Sequence, residues 1–314
     1  MTLSKTPLIS IAMCTYNGEK YLRKQLDSLV NQTYPHVEIS IFDDCSSDGT
    51  IAIILEYIEL FPQIKLKQNP SNLGYQRNFE ANFQACSGEL IAPCDQDDIW
   101  DLNKLEKLYA ILDDNILVYH DSELIDEKDQ SMKLSMGSRL NFVRGKNPSP
   151  FLFFNCVSGH SMLFKRELLQ HIFPFPKKGF YDHWMVFVAS HYGSIDFTTE
   201  CLVKYRQHQQ NLTDILGAKR KETKLQTTIS RIQRENDWLE ICAEYEKQRQ
   251  GPGFNTHLFE QGKNRDTNYF NFGFGFTIWK HQDDLLHIPK QKPKRRLGFA
   301  IRQIWGVKTK TIFK

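Results

Sequence analysis

Seven consecutive residues, Cys94-Asp95-Gln96-Asp97-Asp98-Ile99-Trp100, hold three carboxylates within four positions, directly after the apolar run Leu90-Ile91-Ala92. In a strand, side chains alternate between faces, so Asp95 and Asp97 are expected to point one way and Asp98 the other. Two carboxylates on one face repel, and normally one takes up a proton. A divalent cation removes that conflict, and oxygen-rich sites suit Mg²⁺ or Mn²⁺. Mg²⁺ is usually held by one or two carboxylates together with substrate phosphates. The stretch therefore points to a metal gripping a diphosphate at the end of a buried strand. The competing reading is an acidic turn that caps a helix from Asn103 onward, since Asp favours such positions.

The preceding chain shows what must position these acids. Leu8–Met13 is a short Ile-rich apolar run, expected as a buried parallel strand. It ends in Cys14-Thr15-Tyr16-Asn17-Gly18-Glu19, and Tyr21, Leu22, Gln25, Leu26, Leu29 and Val30 then mark one helical face, with Asn17 or Gly18 able to cap its start. Val37–Phe42 is a second strand, running into Asp43-Asp44, and Thr50–Phe61 a second helix. Ile64–Gln68 and Leu90–Cys94 are further strands flanking a helix over Tyr75–Cys86, with Pro93 expected to mark a strand end. Strands alternating with helices over short links imply a parallel, right-handed, doubly wound α/β sheet. Ligands bind such sheets off the carboxyl ends of the strands, where Thr15–Glu19, Asp43-Asp44, Asn72–Asn78 and Asp95–Asp98 all fall. Neither GxGxxG nor GxxxxGK[ST] is present, which removes support for the usual dinucleotide and NTPase readings.

Four segments in this order, Thr15-Tyr16-Asn17-Gly18, Phe42-Asp43-Asp44-Cys45-Ser46-Ser47-Asp48-Gly49-Thr50, Asn72-Leu73-Gly74 and Asp95-Gln96-Asp97-Asp98, closely resemble inverting family 2 glycosyltransferases of the GT-A fold. Within that family the bacterial rhamnosyltransferase-like group, which builds cell-surface polysaccharides, looks most similar. The resemblance implies a GT-A-type, Rossmann-like, doubly wound mixed sheet. It also implies roles for individual residues. Thr15, Tyr16, Asn17 and Glu19 would line the nucleotide base and ribose pocket, with Asn72 and Gly74 contributing. Asp44 would accept a hydrogen bond from a pyrimidine N3–H, as an ionised carboxylate can. Arg77 would approach base or phosphates, or else lie on a solvated helix face. Asp95 would reach ribose or metal, and Asp97 would bind the metal. Trp100 and Leu105 are expected in the core.

The second half is less legible. His120-Asp121-Ser122 interrupt a strand-like run, Leu117–Leu124, and read as a polar strand end or an acceptor contact. Asp126–Pro150 has no clear period and is expected as a mobile loop. Val157–Phe164 resembles the Gly-plus-small-polar segment that lines the sugar pocket in the family, placing Gly159 and His160 there, though a lone His is more often a satisfied polar residue. Asp182 sits where an N-cap is expected, and by resemblance is the general base. Tyr205-Arg206-Gln207-His208 resembles a family segment closing the site, with Arg206 meeting diphosphate charge and His208 a further metal ligand or a surface histidine.

These readings divide the chain into a catalytic domain over 1–215, with a nucleotide-binding half over 1–100 and an acceptor half over 101–215, and a helical, basic C-terminal extension over 216–314. The chain carries 40 Lys and Arg against 37 Asp and Glu, and nine of the basic residues but no acid fall in 290–314, so 1–289 holds 31 against 37. A basic partner surface is thus confined to the tail, where Leu297, Ala300, Ile301, Ile304 and Trp305 share a helical stripe. That pattern suits an anionic membrane surface, with docking on the catalytic domain the open alternative, and the acidic body disfavours nucleic acid. Seven cysteines, scattered and never in CxxC, argue for reduced thiols in a cytosolic setting. The expected activity is transfer of a hexosyl group, rhamnosyl or similar, from a UDP- or dTDP-sugar to a glycan or lipid-linked acceptor. A non-catalytic nucleotide-sugar-binding protein and a sugar nucleotidylyltransferase are the rivals.

Overall fold

The computed structural model of the protein describes residues 6–208 and 224–312. The chain separates into two compact units. The first comprises Met1–Asn147, Cys156–Phe175 and Phe180–His208, and the second Pro148–Asn155, Pro176–Gly179 and Gln209–Lys314. The sequence-based boundary at 215, and Gln209–Asn211 after the Tyr205–His208 segment, lie outside the described residues.

Four parallel strands open the first unit: β1 (Ile9–Thr15), β2 (Val37–Asp43), β3 (Ile64–Gln68) and β4 (Leu90–Cys94), linked by the helices α1 (Glu19–Val30), α2 (Thr50–Leu60) and α3 (Tyr75–Ala85). Every position of β1 is buried, as its unbroken apolar run requires. Its alternation sends Ile9, Ile11 and Met13 into one core with Leu22, Leu26 and Leu29 of α1 and Ile53, Ile54 and Tyr57 of α2. Asn82 of α3, sharing an aromatic layer with Phe79 and Phe83, donates to the Met13 and Ser40 carbonyls at 2.8 and 3.0 Å. After β5 (Ile99–Trp100), α4 (Lys104–Leu112) packs Leu105, Leu108 and Leu112 into the first core. The later strands are β6 (Leu117–Ile125), β7 (Ser131–Ser135), β8 (Met162–Lys165) and β9 (Ile195–Arg206), and the helix before β9 is α5 (Tyr181–Tyr192). The sheet order is β3-β2-β1-β4-β8-β6-β9-β5, with β7 on β6. Because β8 and β5 run antiparallel to their neighbours, the sheet is mixed.

Four local expectations change. Pro93 does not end β4: it pairs with Ala12, and β4 runs on to Cys94. The pairing of β4 with β8 stops at Ile91, so the missing N–H deprives no ladder on that side. His120-Asp121-Ser122 lie inside β6, all buried, at register shifts against β9. Asp126–Pro150 is not without structure, since it carries β7 and a helical turn at Met136–Arg139 closed by a Ser135–Ser138 capping box. The acidic turn caps no helix, because β5 stands between Asp98 and α4.

The second unit is helical, built on α6 (Lys224–Gln250), α7 (Phe254–Gly262), α8 (Phe272–Lys280) and α9 (Pro293–Ile304). Arg265 is buried inside it among Glu235, Asn236 and Gln303. Trp238 donates to the Phe151 carbonyl at 3.0 Å, which places the aromatic run Phe151–Phe154 in this unit. Among the described residues no helix is long and apolar enough to cross a membrane.

Candidate active site

The acidic turn follows the carboxyl end of β4. The strand ends at Cys94, so the two-residue alternation expected for Asp95 and Asp97 does not operate. The turn instead brings Asp95 and Asp98 together with His160. One ligand atom from each lies within 4.8 Å of the others. His160 Nδ1 stands 3.7 Å from Asp95 Oδ2 and 3.5 Å from Asp98 Oδ2, and its Nε2 meets Ser122 Oγ at 2.9 Å. Asp97 turns aside to His208, whose Nε2 lies 2.7 Å from Asp97 Oδ2 and whose ring stacks on Tyr21.

Asp98 is fully buried. Its Oδ1 accepts from the Arg206 N–H at 3.0 Å, while its Oδ2 has no hydrogen-bond partner among the described residues. Burial, and then Asp97 and Asp95, push this carboxyl well above its usual range. Beneath it lies Lys104, also fully buried, which donates to the His160 carbonyl at 2.7 Å and sits over the Trp100 ring. Burial holds the Lys104 ammonium well below its ordinary value and pulls the His160 imidazole down. Two carboxyl groups, one of them with an orphaned buried oxygen, and a neutral imidazole form a donor set that fits a divalent cation of the Mg²⁺ or Mn²⁺ type.

Asp182 lies in the first turn of α5, one residue inside the helix. Phe180 is the N-cap, so Asp182 does not cap as expected. Its Oδ1 accepts from the His183 N–H at 2.6 Å. Burial raises its carboxyl to about 7. The negative charge of Asp95 adds to the rise, and the backbone N–H groups of His183 and Gly159 oppose it. Burial and Asp182 together lift the nearby Tyr75 phenol to about 12. A carboxyl that titrates near neutrality in the field of a second acid has the properties of a general base.

The β1 and β2 ends form a second cluster. Thr15 donates to Asp43 Oδ2 at 2.8 Å, and Asp43 Oδ1 accepts from the Ser46 N–H at 2.8 Å. Asp44 is buried and accepts from Asn69 Nδ2 at 2.9 Å and from the N–H groups of Leu73 and Gly74 at 2.8 and 2.9 Å. It shapes the Asn72-Leu73-Gly74 loop, with Asn72 Oδ1 also accepting from Gly74 at 3.0 Å and Gly74 at φ 81°. Glu19 Oε2 accepts from the Gly49 N–H at 2.6 Å, and Asn17 Oδ1 from the Ser47 N–H at 2.8 Å, so both brace the Cys45–Gly49 turn. Tyr16 is exposed, and its peptide groups are clamped by Gln96 at 2.8 and 3.0 Å.

Two arginines expected to meet ligand charge have partners within the protein. Arg77 pairs with Glu80 on the surface of α3. Arg206 is buried, donates to the Asp97 carbonyl at 2.7 Å, pairs with Asp129 and lies over Tyr21. It ties the acidic turn to the chain after β6. Gly159 has its own reason: a Cβ there would lie 1.9 Å from Tyr181 Oη and 2.8 Å from Cζ. Tyr181 cannot yield, because it packs among Phe79, Phe83 and Phe175. Gly159→Ala is expected to cost about 1–3 kcal/mol in urea denaturation, partly recovered by adding Tyr181→Phe.

Sequence reasoning passed over Lys104, Gln96 and Asn69, and read Ser122 only as part of a polar strand end or an acceptor contact. Lys104 did carry a signal. A lysine at the first position of a helix opposes the helix dipole, so it must answer to something else. Gln96, Asn69 and Ser122 act through partners 80, nine and 38 positions away, which no local pattern reveals.

Residues 10–173, more than half of the chain, match the family model described as Glycosyl transferase family 2. An uncharacterized glycosyltransferase of Haemophilus influenzae is 29% identical over 252 residues, covering 74% of this chain and 74% of that protein. The Escherichia coli UDP-Glc:alpha-D-GlcNAc-diphosphoundecaprenol beta-1,3-glucosyltransferase WfgD is 31% identical over 211 residues, 66% of this chain and 79% of that protein. Among solved structures, S. aureus TarS in complex with UDP-GlcNAc superposes with a TM-score of 0.59 at 17% identity, over 95% of this chain and 81% of that one. The mannosyltransferase PcManGT from Pyrobaculum calidifontis, in complex with GDP-Man and Mn²⁺, gives 0.51 at 19% identity, over 77% and 65%. These two likenesses concern the fold, which is that of GT-A enzymes. The chain belongs to glycosyl transferase family 2, whose members transfer a sugar from a nucleotide sugar.

Proposed function

We propose that this enzyme moves a hexosyl group, rhamnosyl or a related sugar, from a UDP- or dTDP-sugar to a glycan or lipid-linked acceptor, with inversion at the anomeric carbon and with a divalent cation. The observation that carries the reading is Asp182, a carboxyl raised to about 7 by burial and by Asp95, beside a segment that sets His160 against Asp95 and Asp98. In this reading Asp182 removes the proton of the acceptor hydroxyl as its oxygen attacks the sugar. One displacement suffices, so no nucleophilic residue has to bond the sugar. Asp95, Asp98 and His160, with the neighbouring Asp97 and His208 as further donors, would hold Mg²⁺ or Mn²⁺, which would supply neutralisation of charge on the departing diphosphate. Asp44 and Asn72–Gly74 would form one wall of the nucleotide pocket, with Thr15–Glu19 the other. The relatives' donors support a nucleoside diphosphate sugar: WfgD's name specifies UDP-Glc, and TarS was solved with UDP-GlcNAc.

A panel of UDP- and dTDP-sugars, each assayed with Mn²⁺ and with a chelator, tests this. The expected result is release of a nucleoside diphosphate from one donor class, lost on chelation. Pyrophosphate release from a nucleoside triphosphate would move the protein to the nucleotidylyltransferases. Donor binding without turnover, with glycan and lipid-linked acceptors supplied, would make it a binding protein.

A further inference from the structure

The second unit holds an apolar groove whose residues have no part in the site described above. It lies between α8 and α9, encloses about 540 Å³, and is lined by Phe272, Phe276, Trp279, Leu297, Ile301 and Ile304. On α8 the exposed side chains Phe272, Phe276 and Trp279 recur at i, i+4 and i+7, while Phe274 and Ile278 point inward and are fully buried. On α9, Phe299 and Ala300 are buried and Leu297 and Ile301 are exposed along the groove. The two helices meet at Gly275, where a Cβ would lie 2.3 Å from Ile304 Cγ1 and 3.0 Å from the Ala300 carbonyl. The close approach fixes the exposed rings and aliphatic groups on one rigid face. Phe272 is 66% and Phe276 59% exposed, and three further large apolar side chains in the groove are nearly half exposed. Isolated exposed hydrophobes are ordinary, but a contiguous group of this kind marks an interaction surface.

Its surroundings identify the partner's chemistry. Residues 290–314 carry nine Lys and Arg and no acid. Lys294 is exposed and sits one turn before Leu297 and two before Ile301, and exposed Arg302 follows Ile301. Lys280 closes the exposed edge of α8. An apolar face bearing Phe and Trp, bordered by long cationic side chains able to keep their charges in water, is the pattern of a surface that lies in the headgroup region of a bilayer.

We propose that the α8–α9 face docks on an anionic lipid bilayer, with Phe272, Phe276, Trp279, Leu297 and Ile301 entering the boundary between headgroups and acyl chains and Lys294 and Arg302 meeting lipid phosphates. A second copy of this chain fits less well. A two-fold contact sets each patch against itself and would bring the two acid-free basic segments together. The inference stands apart from the transfer reading, because neither vesicle binding nor its variants involve the acids of the first unit.

Full-length protein is sedimented with vesicles of phosphatidylcholine alone and of phosphatidylcholine containing phosphatidylglycerol, and tryptophan emission is recorded on the same samples. Binding to the anionic vesicles is expected to be at least tenfold tighter and to weaken with salt, with a blue shift of emission. Lys294→Gln with Arg302→Gln is expected to weaken binding roughly tenfold or more, since each basic residue near the surface contributes about fivefold. Phe276→Ser with Trp279→Ser is expected to abolish binding. These four side chains are exposed, and unchanged melting of the variants confirms that they fold. Equal binding to both vesicle types, no binding to either, or full binding by the Phe276/Trp279 variant overturns the proposal. So does a concentration-dependent dimer that the same aromatic substitutions dissolve and anionic vesicles do not, which would assign the face to a second copy.

Discussion

Asp182→Asn is expected to lower kcat by about 10²- to 10⁴-fold while leaving the donor KM within a few-fold, because the amide keeps the shape of the carboxyl but cannot take a proton. The wild-type rate should follow ionisation of this group. With the carboxyl raised to about 7, kcat should climb about tenfold per pH unit below neutrality and level off above it. The stability effect has the opposite sense. An unfolded aspartate titrates near 3.9, and the folded group titrates higher, so folding favours the protonated form. The stability this lends is complete below about pH 4 and is lost as pH rises through 7. Asparagine mimics the protonated form, so the variant should melt above the wild type at pH 8 and close to it near pH 4. An inactive variant that is also more stable in alkali is the signature of a strained functional carboxyl. Turnover within about fivefold of the wild type would remove Asp182 from the mechanism.

Asp97→Ala and Asp98→Ala should separate two ways of losing the cation. Asp97 touches His208 and is not fully buried. Its removal should leave the melting temperature of the free protein nearly unchanged, yet weaken Mn²⁺-dependent UDP binding by about 100-fold or more, since even outer partners of a metal ligand cost 10- to 100-fold. The thermal shift produced by UDP with Mn²⁺, about 2.7 kcal/mol when ligand stands at 100 times its Kd, should then largely vanish. Asp98→Ala should behave differently. It strips the Arg206 N–H of its buried acceptor and removes a carboxylate from beside His160. A buried donor left without a partner costs about 1–3 kcal/mol, so this variant should lose stability as well as cation binding. Calorimetry of both variants, with and without Mn²⁺, checks the contrast. If Asp97→Ala kept full cation-dependent binding, the cation would rest on Asp95, Asp98 and His160 without Asp97.

The first hundred residues were legible because their signals are local. An apolar run buried on both faces, a polar cluster where it ends, and an amphipathic helix after that are all visible within about 30 residues. Repeating them yields parallel strands with their carboxyl ends on one side, since crossovers between parallel strands are right-handed. The acidic turn and Asp44 were singled out on the same basis and Asp182 by its place at a helix start, with family resemblance supplying the roles expected of all three. The second half resisted because its strands return from a distance. β8 enters the sheet between β4 and β6 and β9 between β6 and β5, and register shifts in β6 hide the period of His120-Asp121-Ser122.

By itself, the sequence determined that this is an α/β chain with acids gathered at strand ends, a basic tail, and the motifs of family 2. Those properties depend on residue type and on spacing within single elements. Only the tertiary structure decided that Asp95 meets Asp98 and His160 while Asp97 meets His208, that Arg206 is enclosed as a brace, and that Gly159 is required by Tyr181. It also decided that the tail's apolar stripe packs beside α8 and exposes an aromatic groove. The reason is physical: a turn leaving a strand has no fixed alternation, so the direction of each carboxylate is set by whichever distant groups the packed sheet brings within a hydrogen bond's reach.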